Sequence, residues 1–548
     1  MFKITVSGKT LEFAEKIKVL DLVDPNDKSI IACKVNNRIR ELTFEVYYDA
    51  TIEFITINDE DAMRIYEASL RYLFLMAIER LYPELKVRMT YHISRAIFCR
   101  ILDNKKRFNF QMLREIEEEM HRIIDLDLPL IRKVVPNAEA EEIYRNNHME
   151  DKIRMLKYRP EKTVHFYQCG DHIDYLYSYM VPSTGYINKF SLRLYSPGIL
   201  IQYPRSEMNG EIPPFVDEPT YGETLKEASF WSRVCHAEDI ADINEHIEGG
   251  YDSMVDFVNM CEARHNDKLC LLADKIAKDI EDIKIIAIAG PSSSGKTTFS
   301  NRLRIQLMTR GIIPVKLSID DYYFDRSTLI PDEDGNYDFE HINTIDVELF
   351  NKHLVALING EEVQIPAFDF LSGKRKEGKV MRLEPNQPII IEGIHALNEA
   401  MTQDIPRHNK FKIYIAPHAQ LNIDDHSPIS GTQLRQVRRL VRDYNFRGFS
   451  ATRTIEVWNS VRRGEFRWIY NNQEGVDFVF NSDLVYELCV LKKHALPLLE
   501  AIDKDDEFYI DANNLIKVLK LVKDIPDKLV PCNSLLREFV GESCFYDV

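Results

Sequence analysis

Lys284–Ser300 reads KIIAIAGPSSSGKTTFS. The apolar run Ile285–Ala289 has the make-up of a buried strand, and Thr298–Met308 continues in helical rhythm. Between them Gly290–Thr297 satisfies the phosphate-binding pattern GxxxxGKS/T. Gly290 and Gly295 permit a tight turn that aims successive N–H groups at one anion. The start of the helix adds its positive dipole end, and Lys296 adds a point charge on the outer phosphates. The Thr297 hydroxyl suits a magnesium ion shared with a nucleotide. The stretch is therefore read as a nucleotide-binding loop, with Gly290, Ser292, Ser293, Ser294, Gly295, Lys296, Thr297 and Thr298 as its ATP contacts.

Downstream, Val315–Ile319 reads as a second strand and runs into Asp320-Asp321-Tyr322-Tyr323. A carboxylate just past a strand end, beside a phosphate loop, is placed to accept a proton from an attacking hydroxyl. Pro388–Ile391 is another buried-strand pattern and ends in Glu392, where a magnesium partner belongs. Strands separated by helices predict a mostly parallel sheet with ligands at its carboxyl edge. Arg435, Arg438, Arg439 and Arg442 share one helix face, and Asp443 is the nearest acid in sequence. Beside a nucleotide site this stripe reads as a phosphate-clamping lid.

The whole chain has 548 residues, too many for one core. Its formal net charge of −17 argues against a protein that coats nucleic acid or anionic membrane. Nine scattered cysteines without a CxxC pair fit reduced thiols, and no apolar run approaches the ~20 residues that span a bilayer. A cytoplasmic protein without membrane contact is expected. Cys235, His236, His246, Cys261, His265 and Cys270 fit no standard metal spacing and are read as packing within amphipathic helices.

Ahead of the loop, strand patterns at Phe2–Val6, Leu11–Phe13, Ile30–Val35 and Val46–Ile57 predict a small β-grasp unit. Ala62–Pro83 is a helix pattern closed by proline. Lys86–Arg107 carries Arg88, Arg95, Arg100, Lys105, Lys106 and Arg107, which reads as a solvated face or as an RNA contact of the front half. Tyr175, Tyr177 and Tyr179 alternate as strand residues on one face would.

Three resemblances follow from these pieces. The blocks GPSSSGKTT, SIDDYY, YDFEHINTID (337–346), IPAFDFLSGKR (365–375), IIIEGIHAL (389–397) and RQVRRLVRDYNFRG (435–448) resemble, in this order, the uridine kinase/phosphoribulokinase family of P-loop kinases. That resemblance implies ATP and Mg2+ as cofactors, Asp320 as base for a nucleoside 5′-hydroxyl, Thr297, Asp320 and Glu392 around the metal, and Lys296, Arg438 and Arg442 in catalysis. Tyr323, Glu340, His341, Phe368, Phe370, Arg375 and Arg435 are the implied acceptor contacts. The chain departs from the family where Glu340 stands for an Asp, Phe368 for a Tyr and Gly373 for a His. The first sixty residues resemble a TGS domain, and 61–225 resembles the editing domain of threonyl- and alanyl-tRNA synthetases. Ala68, Tyr72, Leu176 and Met180 occupy that domain's metal-ligand positions, so deacylase chemistry is not expected.

The expected organisation is multidomain α/β. It comprises a β-grasp over 1–60, an α+β synthetase-editing-like domain over 61–225, a helical connector over 226–280, a P-loop kinase with a mostly parallel sheet flanked by helices over 281–500, and a helix and tail over 501–548 without assigned function. The expected activity is phosphorylation of uridine or cytidine. The alternatives are another hydroxyl acceptor, such as a sugar phosphate or pantothenate, and a regulatory RNA-associated NTPase. A guanine-specific switch is disfavoured because Asn351-Lys352 is followed by His353-Leu354. A homo-oligomer is compatible with these features, and a chain starting near residue 275 is expected to keep some phosphoryl transfer.

Overall fold

The computed structural model describes residues 1–102, 108–328, 340–369, 372–418, 420–470 and 473–546. At the centre of the C-terminal half lies a five-stranded sheet in the order Val315–Ser318, Ile389–Glu392, Ile285–Ala289, Lys410–Ala416, Phe478–Asn481. Every neighbouring pair is parallel. All five residues of Ile285–Ala289 are buried, as a parallel strand covered on both faces requires.

One face of the sheet packs Ile286, Ile288 and Ile413 against Phe299 and Leu303, and against Phe257, Leu269 and Leu272. The opposite face packs Ala287, Leu317 and Ile391 against Phe350, Leu354 and Leu357. The connector forms three helices, Pro219–Val234, Ile240–Glu248 and Tyr251–Lys278. The first of these runs across position 225. The third is part of the core of the C-terminal half, so a chain starting near residue 275 would lose the cover of one sheet face. Cys261 is buried in that core, and His265 Nε2 bonds to the Asp483 carbonyl at 2.9 Å. The tail joins the same core through Leu515, Leu519, Leu535 and Phe539.

The first sixty residues form a mixed sheet ordered Lys9–Phe13, Phe2–Val6, Ala50–Thr56, Ile30–Val35, Arg38–Glu41, the β-grasp pattern. The helix Glu60–Leu81 follows, beside an antiparallel four-stranded sheet built from Val87–Ile93, Ala96–Ile101, Gly198–Gln202 and Ser191–Tyr195. Arg88 and Arg100 of this sheet do not face solvent. Arg88 is 3.1 Å from Glu238 and also pairs with Asp425, and Arg100 donates to Glu238 at 2.6 Å and Ser229 at 2.8 Å. Lys105, Lys106 and Arg107 lie outside the described residues.

The halves meet at several segments. The short hairpin Asn422–Pro428 reaches from the C-terminal half into the front half, where Asn422 Nδ2 donates to the Met89 carbonyl at 2.7 Å. Lys152, 2% exposed, sits between Asp424 at 2.8 Å and Asp174 at 3.1 Å. The strand reading of Tyr175, Tyr177 and Tyr179 is corrected: the strand His172–Asp174 ends first, and Tyr177 takes φ +54°. The Asp174 carboxylate accepts from the Tyr175 N–H at 2.6 Å and from His426 Nδ1 at 3.0 Å, and the chain turns away from the sheet there.

Candidate active site

The phosphate loop leaves the carboxyl end of the central strand. A Cβ on Gly290 would stand 1.9 Å from the Ile415 carbonyl, and Gly295 takes φ +87°, so each position accepts glycine for its own reason. Lys296 Nζ donates across the loop to the carbonyls of Gly290 at 3.0 Å and Pro291 at 3.3 Å. The buried hydroxyls of Ser293, Ser294 and Thr298 have no hydrogen-bond partner among the described residues. Buried donors left open around a helix N-terminus are what a bound phosphate satisfies.

The register of the neighbouring strands brings the carboxylates to this loop. Ser318 pairs with Glu392, and Glu392 lies beside Ile288. Ser318 Oγ donates to Glu392 Oε1 at 3.4 Å, and the chain then turns into the short 3-10 segment Ile319–Tyr322, which carries Asp320. Burial pushes the Asp320 carboxyl up, against the pull of Lys296, Arg447 and Arg442. Burial and the Asp320 charge together push Glu392 up to about 7. Burial pushes the Lys296 ammonium down, while Glu392 and Asp320 oppose it. Lys296, Asp320 and Glu392 thus share one cleft and one electrostatic field.

This donor set fits magnesium. Two buried carboxylates repel each other with hard oxygens, and Thr297 lies in the same first helical turn as Lys296. Among the described residues no group of three or more His, Cys, Asp and Glu could hold a metal unaided. Magnesium in phosphoryl-transfer sites commonly takes only one or two carboxylates and completes its shell with phosphate and water.

The arginine helix spans Gly431–Arg447, capped at its start by Ser430 and stopped by Gly448 at φ +68°. Its stripe divides by partner. Arg435 is bidentate to Glu465 at 2.6 and 2.7 Å. Arg438 is fully buried, pairs with Glu487 at 2.8 Å and donates to the carbonyls of Ser482 at 2.8 Å and Ser293 at 3.3 Å. Arg438 is a strut with its donors committed to protein and holds the phosphate loop, whereas Arg435 is anchored through its terminal nitrogens while its Nε is buried without a hydrogen-bond partner among the described residues. Arg439 donates to Ser292 Oγ at 2.6 Å, and Arg442 pairs with Asp443 at 2.7 Å. Arg447 is pushed down to about 10 by Arg442 and by burial. Arg439, Arg442 and Arg447 share the buried Asp443 carboxylate, at 3.1, 2.7 and 3.7 Å, and their charges reach Glu340 and Asp320.

Several expected acceptor contacts gather on the far side. The Tyr323 phenol is pushed up by burial and by the charges of Asp320 and Glu340, and its ring lies 5.5 Å from Phe368. Glu340 is pushed up by burial and held back by Arg439. The helix Trp458–Trp468 closes over Glu340, where a Cβ on Gly464 would meet the Glu340 Cβ at 2.4 Å. His341 places its ring edge-on to Trp468 at 4.8 Å. Arg375 instead acts as a strut, donating to the carbonyls of Tyr323 at 2.9 Å and Tyr322 at 2.6 Å and to Asp346 at 3.0 Å. Gly373 takes φ +67°, and a Cβ there would meet the Arg326 side chain at 2.6 Å. Phe370 lies outside the described residues.

Residues 285–483 match the Phosphoribulokinase / Uridine kinase family. The kinase half is of that type. In the front half, the threonine–tRNA ligases of Acetivibrio thermocellus and Desulforamulus reducens are 28% and 31% identical over 198 residues. Each match takes in 35% of this chain, which spans 31% of either ligase. Among solved structures, a Bacillus stearothermophilus protein described as a possible uridine kinase is 20% identical, with TM-score 0.24, over 38% of this chain and 97% of that one. D-glycerate 3-kinase from Cryptococcus neoformans is 14% identical, with TM-score 0.21, over 45% and 87% of the two chains.

Within the synthetase-like half, Ala68, Tyr72, Leu176 and Met180 are all buried, and the Tyr72 hydroxyl donates to the carbonyls of Tyr167 and His172, each at 3.0 Å. The positions that resemble a metal site are packing. In the kinase half, the tail supplies contacts that sequence reading missed. A Cβ on Gly295 would meet Leu535 at 2.4 Å, and Glu538 Oε2 accepts from the Thr298 N–H at 3.0 Å. Nothing local to 531–541 signals that contact, because its partner lies 240 residues earlier.

Proposed function

We propose that the chain transfers the γ-phosphoryl group of ATP to the primary hydroxyl of a nucleoside, uridine or cytidine first. The observation that carries this reading is the strand register, which brings Lys296, Asp320 and Glu392 into one buried cleft at the end of the phosphate loop. The loop N–H groups and Lys296 hold the triphosphate, and Arg439, Arg442 and Arg447 offset charge on the transferring group. Asp320 takes the hydroxyl proton as the oxygen attacks the γ-phosphorus, and the bond to the β–γ bridging oxygen breaks to release ADP. Thr297, Asp320 and Glu392 would hold magnesium, which supplies charge neutralisation on the phosphates.

A second acceptor class is favoured by Gly373. Its left-handed backbone and the Arg326 side chain take the place of a base-reading imidazole, which supports a different hydroxyl compound such as a sugar phosphate or pantothenate. A panel of nucleosides and these compounds with labelled ATP decides between the two. Turnover of uridine or cytidine that falls by roughly 10²–10⁴ in Asp320→Asn, and is lost in Lys296→Ala, supports the nucleoside kinase. ATP hydrolysis that ignores every small acceptor and responds to tRNA would overturn it.

A further inference from the structure

A cavity of about 550 Å³ lies between the two halves, away from the phosphate loop. Its walls come from the β-grasp, the synthetase-like domain, the arginine helix and the tail helix Tyr509–Leu519. The size is that of a pocket for a small organic ligand. Its chemistry is cationic and aromatic.

The charges at its wall do not balance. Arg64 is matched by Asp61 at 3.1 Å and Asp511 at 3.8 Å, and Arg71 by Glu67 at 3.4 Å. Arg38, Arg40, Arg132, Arg159 and Lys517 remain, with Glu161, which is 51% exposed and 3.7 Å from Arg159, as the other acid of the wall. Glu41 stands behind Arg132 at 3.8 Å, and burial pushes its carboxyl up, towards the neutral form. Lys517 sits at the rim, where loss of water and the charges of Arg40 and Arg132 push its ammonium down. His165 Nδ1 accepts from Arg132 Nη2 at 2.9 Å, so this ring partners one arginine nitrogen without bringing a countercharge. Guanidiniums gathered this closely destabilise one another unless an anion joins them.

Two observations point to a ligand. The Arg159 side chain is 3% exposed, yet its Nε and Nη1 make no hydrogen bond among the described residues; the Arg132 Nε is likewise buried without one. Arg159 Nη2 is held by the Thr163 carbonyl at 3.1 Å, and buried guanidinium N–H groups left open beside it match the oxygens of a phosphate. The second is the Tyr175–Tyr179 segment, which leaves the sheet to line this cavity. The Tyr175 and Tyr177 rings lie 4.6 Å apart with Arg159 over both, and Tyr179 accepts from Arg40 at 3.0 Å beneath Arg132. Phenol walls of this kind suit a flat ring.

We propose that this cavity is an effector site for a planar ring compound carrying a phosphate, of the nucleoside monophosphate class. The site is wired to the kinase half. Gln433 and Gln436 line the cavity; Arg438 lies across the arginine helix from both, Arg439 follows Gln436 by one turn, and these two arginines hold Ser293 and Ser292 of the phosphate loop. A ligand on the glutamine face therefore bears on the element that positions the loop. This coupling rests on the kinase reading above; the binding itself does not.

Calorimetry of the full chain, with its phosphate loop filled by Mg2+ and a non-hydrolysable ATP analogue, tests it. The probes are UMP, AMP, ribose 5-phosphate and inorganic phosphate. The expected result is a binding event for a nucleoside monophosphate, at least tenfold tighter than for inorganic phosphate, that weakens at least tenfold in Arg159→Gln/Arg132→Gln. If that variant fails to fold, Lys517→Met is read in its place with the same expectation. No heat from any probe, or an event that survives unchanged in the cavity variant as binding at the acceptor pocket would, overturns the site. Equal affinity for inorganic phosphate overturns the ring. Binding that leaves ATP turnover unchanged at saturation overturns the coupling and keeps the site.

Discussion

The Thr298 backbone N–H donates to the Glu538 carboxylate at 3.0 Å, so an acidic side chain from the C-terminal tail sits on the first turn of the phosphate-loop helix. The first N–H groups of any helix lack an intrahelical partner and favour an anion. Here the tail supplies one, on the helix that follows the phosphate-binding pattern.

Glu538→Gln is therefore expected to tighten nucleotide binding by roughly three- to tenfold, since a charged competitor for the Thr298 amide becomes neutral. Titration of the chain with a fluorescent ATP analogue reads this directly. Unchanged or weaker binding would assign Glu538 to docking of the tail alone.

Stability should depend on pH through the cleft. Glu392 titrates near 7 in the folded chain and near the ordinary glutamate value when unfolded. The folded state then binds more protons between about pH 4.5 and 7, so this group's contribution falls as pH rises through that window and is flat above it. Glu392→Gln should flatten the melting-temperature profile there and raise the melting temperature at pH 8. Mg2+ with an ATP analogue should remove the same slope in the parent chain by neutralising the Asp320–Glu392 pair. A profile that Glu392→Gln leaves unaltered would place the titration elsewhere.

Arg438→Ala should destabilise the fold by about 3–5 kcal/mol, because it strands the buried Glu487 carboxylate. Arg438→Met with Glu487→Leu should recover most of that loss, since no uncompensated charge remains. Chemical denaturation of the two variants separates a strut from a phosphate-facing arginine, whose loss would lower turnover with stability intact.

A chain beginning near residue 275 is expected to aggregate or to melt without cooperativity. The part of helix Tyr251–Lys278 that it lacks buries Phe257, Cys261, Leu269 and Leu272 in the core against the sheet. A start ahead of Ile240 keeps that cover. Circular dichroism of the two chains checks the comparison, and cooperative melting of the shorter one would refute it.

What could be read along the chain was whatever contiguous residues encode. The loop Gly290–Thr297 combines turn, anion cradle and cation within eight positions, and Ile389–Glu392 announces a buried strand ending in a carboxylate. The strands at Phe2–Val6 and Ile30–Val35 and the helix pattern over 62–83 were legible for the same reason, because periodicity and punctuation are local. Partnership was not. The arginine stripe looked uniform because Asp443 was its only near acid, whereas Glu487 is 49 positions from Arg438 and Glu465 is 30 from Arg435. Only folding decides which guanidiniums pair with distant buried carboxylates and which share Asp443 on their own helix, since that depends on distances between segments that the chain order does not constrain. The tyrosines at 175–179 and the carboxylate at 538 follow the same rule. Alternation suggested a strand and the tail suggested nothing, until packing turned one into a cavity wall and set the other on a helix end 240 residues away.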